Sequence, residues 1–236
     1  MTSHPAVLFD VDGTLVDSNY LHVYAWQRAF HEADVPMETW RVHRSIGMDG
    51  TTLVKTLLEQ FGQDPTDELG SQLKDGHSEY YQRSASLLEP LPGARDLVRR
   101  VADMGLQAVL ATSAPPDELE LLRKVLDCDD VIAEITSAED VDTAKPEPDI
   151  VRIALERAGV SAQQAVFVGD AVWDAEACAR AQVPTIGLLT GGCGRDELRD
   201  AGAAEVFENP RELLARIKAV MRRAHQFSSN HEKRSR

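Results

Sequence analysis

The sequence predicts an α/β protein with a parallel sheet, helices on both faces of the sheet, and a small all-helical cap inserted after the first strand. Short apolar runs without polar alternation recur along the chain, which is typical of strands buried on both faces. Most of these runs precede a segment with helical periodicity, so strands and helices alternate. Residues 18–88 break the alternation because they contain helical periodicity without a convincing strand.

The predicted strands are 6–9, 107–111, 165–168 and 185–189, with 205–207 as a weaker candidate. The helices predicted between and after them are 94–104, 117–126, 149–158, 175–181 and 212–223. Glycines follow predicted helices at Gly105 and Gly159, and Gly202 stands where another helix is expected to end. A glycine in this position is typical of a helix C-cap.

The inserted segment has helical periodicity around residues 21–32, 51–61 and 68–84, with prolines at the turns between helices. We therefore predict a catalytic core formed by residues 1–17 and 89–221 and a helical cap formed by residues 18–88. The polar residues 222–236 are expected to be a disordered tail.

Composition argues against two classes of main partner. The chain has 236 residues and a formal net charge of -14, which argues against nucleic acid or an anionic membrane surface. A small anionic substrate is compatible with this charge, because a bound cation and one lysine can reverse the field inside a pocket. No signal peptide or transmembrane segment is visible, and we expect a cytoplasmic monomer or homodimer.

The three cysteines, Cys128, Cys178 and Cys193, lie far apart in the sequence and form no CxxC pair. An odd number of isolated cysteines is typical of reduced thiols rather than of a disulfide framework or a zinc site.

The first candidate motif contains Asp10 and Asp12 at the end of the first predicted strand. Residues two apart can point to the same side of an extended segment, and Gly13 allows a sharp turn after them. One carboxylate can attack phosphorus while the second transfers protons. A helix cap, a surface turn and a calcium loop are the alternatives, but a calcium loop requires three alternating acids before its glycine.

Two further motifs offer groups that bind phosphate. Thr112 and Ser113 follow a predicted strand, where hydroxyl and backbone N–H groups can hold phosphate oxygens, although an N-cap is an equally good explanation. Lys145 precedes a proline and is therefore expected to lie in a loop. Its charge can offset that of a phosphoryl group, although most lysines are solvated surface residues.

The fourth motif places Asp170 at the end of a predicted strand and Asp174 four residues later. Carboxylate oxygens at this spacing suit a hard cation such as Mg²⁺, which also retains waters and binds substrate phosphate oxygens. Asp174 can alternatively cap the helix that follows, and it can do both.

These four motifs, in this order and each at a strand-to-loop junction, resemble the haloacid dehalogenase-like hydrolases, specifically phosphatases with a small helical cap. The resemblance extends from Val7 to about Leu214. It implies a Rossmann-like core, Mg²⁺ as cofactor and a small phosphorylated metabolite as substrate. Asp10 would be the nucleophile and a metal ligand, and Asp12 the general acid/base with its backbone carbonyl on the metal.

The same resemblance assigns the remaining motif residues. Asp170 and Asp174 would hold the metal, with Asp174 acting directly, through water or through Lys145. The phosphoryl group would be held by Thr112, Ser113, Lys145, Gly13 and Thr14.

Departures from the motifs distinguish the members of the family. Dehalogenases lack the second aspartate, so Asp12 argues against carbon–halogen cleavage. Phosphonate hydrolases use a cap lysine as nucleophile, whereas Lys55 and Lys74 lie in ordinary amphipathic helices. We therefore expect a phosphomonoester hydrolase that acts through an aspartyl-phosphate.

A sugar-phosphate mutase is the main alternative, because residues 17–26 resemble the corresponding segment of beta-phosphoglucomutase. This places His22 near Asp12, although a helix-face histidine without function is equally compatible. The mutase has a lysine before the glycine of its cap loop and an arginine soon after it; here Ile46 precedes Gly47 and no arginine follows nearby.

The cap loop around Gly47 resembles the substrate-facing loop of such caps. Arg44 is a candidate contact to the leaving group, with an ordinary surface arginine as the alternative. A non-catalytic binding protein that kept the fold is a third possibility.

Overall fold

A computed structural model describes residues 4–141, 143 and 145–234, with side chains described up to residue 222. Its centre is a sheet of six strands, all parallel, in the order β3-β2-β1-β4-β5-β6. The strands are β1 (Ala6–Phe9), β2 (Gln107–Ala111), β3 (Ile132–Thr136), β4 (Ala165–Gly169), β5 (Thr185–Leu188) and β6 (Ala203–Phe207). The α/β fold class predicted from the sequence is confirmed.

The described residues contain ten α-helices. Four of them, α1 (Asn19–Glu32), α2 (Thr39–Ser45), α3 (Gly50–Gln60) and α4 (Asp67–Arg83), lie between β1 and β2 and form the cap. The others are α5 (Ala94–Asp103), α6 (Pro116–Leu126), α7 (Asp149–Ala158), α8 (Val172–Ala181), α9 (Arg195–Asp200) and α10 (Pro210–Arg234).

The side chains of strand β1 show that helices cover both faces of the sheet. Its residues alternate between two separate apolar clusters: Val7 and Phe9 belong to the cluster that includes α5, α6 and α10, and Ala6 and Leu8 to the cluster that includes α7 and α8. All four side chains are fully buried. A continuous apolar run therefore forms this strand because neither face meets water.

The cap has its own apolar core. Trp26 and Phe30 of α1 pack with Leu57 of α3 and Leu73 of α4, all buried, in a cluster that contains only cap residues among those described. The four-residue spacing of Trp26 and Phe30 places them on one face of α1. The cap is therefore stabilised by its own packing, and one side of it faces the cavity at the sheet edge.

Four elements differ from the sequence prediction. The strand β3 was missed because it lies at the edge of the sheet and exposes Glu134, so its pattern is not uniformly apolar. The short helices α2 and α9 were also missed, and α8 begins at Val172 rather than at residue 175. The predicted glycine C-caps have positive φ angles, at Gly105 of 74° and at Gly159 of 63°.

The helix α10 continues to Arg234, through most of the segment 222–236 that we expected to be a disordered tail, and residues 235 and 236 lie outside the described residues. The domain boundaries at 17/18 and 88/89 stay predictions. Cys128, Cys178 and Cys193 are free thiols. Among the described residues, each helix is too short or too polar to cross a bilayer.

Candidate active site

Three motif residues lie side by side because their strands are neighbours. Asp10 follows β1, Thr112 follows β2 and Asp170 follows β4, and β1 lies between β2 and β4 in the sheet. Parallel strands end at the same edge, so residues distant in sequence meet there. These three residues line a cavity of about 410 Å³ between this edge and the cap.

Lys145 links two of the buried carboxylates. Its Nζ lies 2.6 Å from Asp10 Oδ1 and 2.7 Å from Asp174 Oδ1, and its side chain is 3 % exposed. Burial alone would lower the pKa of Lys145, but the two carboxylates raise it, so the amine is charged. The expected convergence of the lysine with the first and fourth motifs is present in the structure.

Asp10, Asp170 and Asp174 form a compact set of oxygen donors. One carboxylate oxygen from each lies within 4.8 Å of the others, and all three residues are buried. Burial and the neighbouring acids raise the pKa of Asp10 to about 7, although Lys145 opposes this rise, and burial likewise raises that of Asp170. Three crowded carboxylates with one lysine have excess negative charge, which a divalent cation would offset.

The structure also shows how two of these acids are oriented. Asp170 accepts hydrogen bonds from Thr14 Oγ1 at 2.6 Å and from Asn19 Nδ2 at 2.8 Å. Asp174 Oδ2 accepts from the backbone N–H groups of Asp170 and Ala171, both at 3.1 Å. Asp174 therefore caps α8 and contacts Lys145 at the same time, so both of the roles considered for it are compatible with its position.

Asp12 is not part of the three-carboxylate set, and its side chain contacts residues at the start of the cap. Its Oδ1 accepts from Ser18 Oγ at 2.6 Å and lies 3.1 Å from His22 Nε2. Burial alone would raise the pKa of Asp12, but His22 and Ser18 lower it. Burial would lower the pKa of His22, but Asp12 raises it. The two side chains therefore form a hydrogen-bonded acid–base pair at the start of the cap.

Gly13 and Thr14 support the site without lining the cavity. Gly13 has φ of 68°, and a Cβ there would lie 2.2 Å from Asn19 Nδ2 and 2.4 Å from Asp170 Oδ2. The backbone N–H groups of Gly13 and Thr14 donate to Val16 and Val11 within the loop. This differs from the expected phosphate contact, because groups already bonded inside the loop are not free to bind a ligand.

The second motif offers one free hydroxyl. Thr112 Oγ1 accepts a hydrogen bond from the backbone N–H of Ala114, two residues later, at 3.0 Å. Ser113 Oγ is buried without a hydrogen-bond partner among the described residues, and both side chains line the cavity. A buried hydroxyl that lacks a partner needs one, and a phosphate oxygen in the cavity would supply it.

The candidates in the cap separate into two groups. His22 and Gly47 line the cavity, and Gly47, with φ of 96°, packs against Ala171 of the core so closely that a Cβ would lie 2.9 Å from that side chain. Arg44 does not line the cavity. Its guanidinium lies 2.8 Å from Glu197 Oε1, so the expected contact to the leaving group is replaced by an ion pair between cap and core.

Several cavity residues were not predicted from the sequence. Trp26, Asp49 and His77 of the cap and Glu118 of α6 all line it. The rings of Trp26 and His77 are stacked, with centroids 4.2 Å apart. The sequence offered a signal for Trp26 alone, which belongs, like His22, to the segment 17–26 that resembles the mutase. Asp49, His77 and Glu118 stand in ordinary helix and helix-cap patterns.

Comparison with known proteins agrees with this geometry. The haloacid dehalogenase-like hydrolase family model matches residues 4–182. This chain belongs to that family. A "Phosphorylated carbohydrates phosphatase" of Thermotoga maritima is 31 % identical over 219 residues, covering 92 % of this chain and 99 % of the relative.

A "Phosphoglycolate phosphatase" of Rhodospirillum rubrum is 28 % identical and covers 86 % of this chain and 87 % of its own. The crystal structure of a hydrolase from Pseudomonas syringae superimposes with a TM-score of 0.88 at 35 % identity, covering 92 % of this chain and 99 % of that one. Together, the family and these relatives identify the chain as a hydrolase of the phosphatase type.

Proposed function

We propose that the protein is a Mg²⁺-dependent phosphomonoester hydrolase that transfers the phosphoryl group of a small metabolite to Asp10 and then to water. The observation that carries the proposal is the position of Lys145, whose amine contacts Asp10 and Asp174 in one buried site. A charged amine beside a carboxylate nucleophile offsets the repulsion between that carboxylate and an anionic phosphate ester.

The donor set fits a divalent cation. Asp10, Asp170 and Asp174 supply hard oxygen ligands. The backbone carbonyl oxygen of Asp12 would be the fourth ligand from the protein. When bound, Mg²⁺ would supply charge stabilisation for the phosphoryl oxygens and lower the pKa of its carboxylate ligands.

In the first step, an Asp10 carboxylate oxygen attacks phosphorus, the bond to the ester oxygen breaks, and Asp12 donates a proton to the leaving oxygen. In the second step, Asp12 takes a proton from water, which attacks the aspartyl-phosphate and releases inorganic phosphate and free Asp10. The raised pKa of His22 beside the lowered pKa of Asp12 gives this pair a proton that can pass to the leaving group.

The cap limits the size of the substrate. The cavity of about 410 Å³ is bounded by the sheet edge and by residues of the cap such as Gly47 and Trp26. This volume suits a small phosphate ester rather than a folded phosphoprotein. A closed cap also excludes bulk water during the first transfer.

Hydrolysis is favoured over the mutase alternative by the charges of the cavity. A mutase must hold a second phosphate at the cap side, yet no arginine lines the cavity among the described residues, and Lys74 is the cap's one lysine there. We therefore propose water, rather than a second hydroxyl of the substrate, as the acceptor.

The test is hydrolysis of 4-nitrophenyl phosphate with Mg²⁺ by wild type and by Asp10→Asn. We expect the variant to lose at least about a thousandfold in kcat, because the amide cannot attack phosphorus. Asp103→Asn is the matched control, since Asp103 is exposed at the end of α5 and precedes β2 rather than following a strand. Retention of activity in Asp10→Asn, with folding confirmed by circular dichroism, would overturn the proposal.

A further inference from the structure

The cavity is acidic where its lining belongs to none of the four motifs. Its lining there includes four acids, Asp49, Asp75, Asp117 and Glu118, which we call the acidic end, and one base, Lys74. Lys74 is exposed, and its Nζ donates to Thr51 Oγ1 at 3.3 Å. The one arginine expected to face a leaving group, Arg44, pairs with Glu197 elsewhere.

Glu118 is the most deeply placed of these acids. It is 4 % exposed. Its Oε1 lies 3.7 Å from His77 Nδ1, beyond hydrogen-bond range. Burial raises the pKa of Glu118 to about 7, and burial also lowers the pKa of His77, so this contact is not a charged pair. The carboxyl group of Glu118 lines the cavity, so a donor on the ligand could pair with it.

Asp49 offers a second acceptor in the same cavity. Its Oδ1 caps α3 by accepting from the backbone N–H groups of Thr51 at 2.9 Å and Thr52 at 3.2 Å. Its Oδ2 is buried and has no hydrogen-bond partner in the described part of the chain. An ionised carboxylate oxygen only accepts, so the group that pairs with it must be a donor.

We propose that the acidic end selects leaving groups that donate hydrogen bonds and carry no negative charge, with Asp49 and Glu118 as specificity-determining residues. This inference rests on the proposed function and names its substrate class: phosphate monoesters of small polyols or amino alcohols, rather than of hydroxy acids. A hydroxyl group pairs with a carboxyl group in either protonation state. A carboxylate placed there would meet the acidic side chains of Asp49, Asp75 and Asp117 in a partly dehydrated site, where like charges repel strongly.

The apolar part of the lining is compatible with such a leaving group. Trp26, Ile46, Met48 and Leu53 also line the cavity, so the carbon skeleton of a polyol has an apolar surface to contact while its hydroxyls reach the acids. Trp26 is fixed in place by its stacking on His77 and by the close approach of Gly50, whose added Cβ would lie 3.3 Å from its ring.

The test compares kcat/KM for three esters of nearly equal size, 2-hydroxyethyl phosphate, 2-aminoethyl phosphate and 2-phosphoglycolate, with 4-nitrophenyl phosphate as a general substrate. We expect wild type to prefer the hydroxyl or the amino ester over phosphoglycolate by about tenfold or more. A preference for the hydroxyl ester identifies a polyol, and one for the amino ester identifies an amino alcohol; both support the inference.

The variants Asp49→Asn and Glu118→Gln remove charge while keeping an acceptor, and asparagine still caps a helix. Each is expected to raise kcat/KM for phosphoglycolate relative to the hydroxyl ester severalfold. Glu59→Gln is the matched control, because Glu59 is exposed on α3, the helix that Asp49 caps, and pairs with Lys55. It should leave the ratio unchanged.

Two results would overturn the inference, and they can be told apart. If wild type hydrolyses 4-nitrophenyl phosphate but uses phosphoglycolate as well as or better than the hydroxyl and amino esters, the acidic end does not select against anions and the proposed function stands. A loss of that phosphoglycolate activity in Lys74→Gln would then identify Lys74 as the anion site. If wild type hydrolyses none of the four esters with Mg²⁺, the proposed function and the inference fail together.

Discussion

The two ends of the cavity use acidic side chains in opposite ways. At the nucleophile end, which consists of Asp10, Lys145, Asp170 and Asp174, every acid has a polar partner within the protein. At the acidic end, Asp49 Oδ2 has no hydrogen-bond partner among the described residues, and Glu118 Oε1 lies beyond hydrogen-bond range of His77 Nδ1. The nucleophile end is thus organised before any ligand arrives, whereas the acidic end depends on donors that a ligand brings.

This difference separates chemistry from specificity. A substitution at the nucleophile end should lower kcat/KM for all phosphate esters to the same extent, because every ester presents the same phosphoryl group there. A substitution at the acidic end should instead change the ratio of kcat/KM between esters, because the esters differ in the leaving group that it contacts. Variants at the two ends should therefore differ, with the largest effect at the nucleophile end.

The largest effect is expected from Lys145→Met. Without the amine, the charge of Asp10 is no longer offset and its pKa rises further, so we expect kcat/KM to fall by about a thousandfold. The measurement is hydrolysis of 4-nitrophenyl phosphate and 2-hydroxyethyl phosphate, and both should fall by the same factor. Lys124→Met is the control, since Lys124 is an exposed lysine of α6 that pairs with Glu120. If Lys145→Met changes the ratio of kcat/KM between the two esters, the nucleophile end also affects specificity, and the two ends do not have separate roles.

A smaller, pH-dependent effect on stability is expected from Glu118→Gln. Burial raises the pKa of Glu118 from 4.5 to about 7, so the folded protein binds this proton more tightly than the unfolded chain. Its stabilising effect is fully present below pH 4.5 and is lost as pH rises through 7. The variant should therefore gain up to about 3 kcal/mol over wild type at pH 8 and nothing near pH 4.

Urea unfolding of both proteins at several pH values, without added metal, measures this gain. Glu120→Gln serves as the control because Glu120 lies on the same helix but is exposed and paired with Lys124. A gain that does not increase with pH would show that Glu118 is already satisfied in the folded protein, and the acidic end would then need no donor from the ligand.

The smallest effect is expected from Arg44→Gln. The ion pair with Glu197 joins cap and core, but both side chains are more than 40 % exposed, so the pair is worth about 0.5 kcal/mol. We expect KM for 2-hydroxyethyl phosphate to change by less than about threefold, and Glu197→Gln should have the same small effect. A loss of about a hundredfold in Arg44→Gln alone would instead place Arg44 on the leaving group.

The nucleophile end was predictable from the sequence because each of its parts has a local signal. Apolar runs mark β1 and β4, and an acid at the end of each is brought to the same edge by the parallel sheet. Lys145 had no such signal of its own, since a lysine before a proline is usually exposed. Only the joint order of the motifs and the family resemblance placed it beside Asp10.

The acidic end was not predictable for a physical reason. Asp49 stands where any helix N-cap can stand, and Glu118 occupies the first turn of α6, where acids are common because of the helix dipole. Each pattern is fully explained by its own helix. Their shared orientation into one cavity depends on how the cap packs over the core, and neither local sequence contains that information.

The central claim, that Asp10 receives the phosphoryl group, is tested most directly with Asp12→Asn and 4-nitrophenyl phosphate. The good leaving group needs no proton from residue 12 in the first step, whereas hydrolysis of the intermediate needs a base there. We predict a burst of 4-nitrophenolate of about one equivalent per active site, and acid-quenched protein whose peptide containing Asp10 has gained the mass of a phosphoryl group. A phosphoryl group on any other residue, or steady turnover with no labelled peptide, would contradict the account.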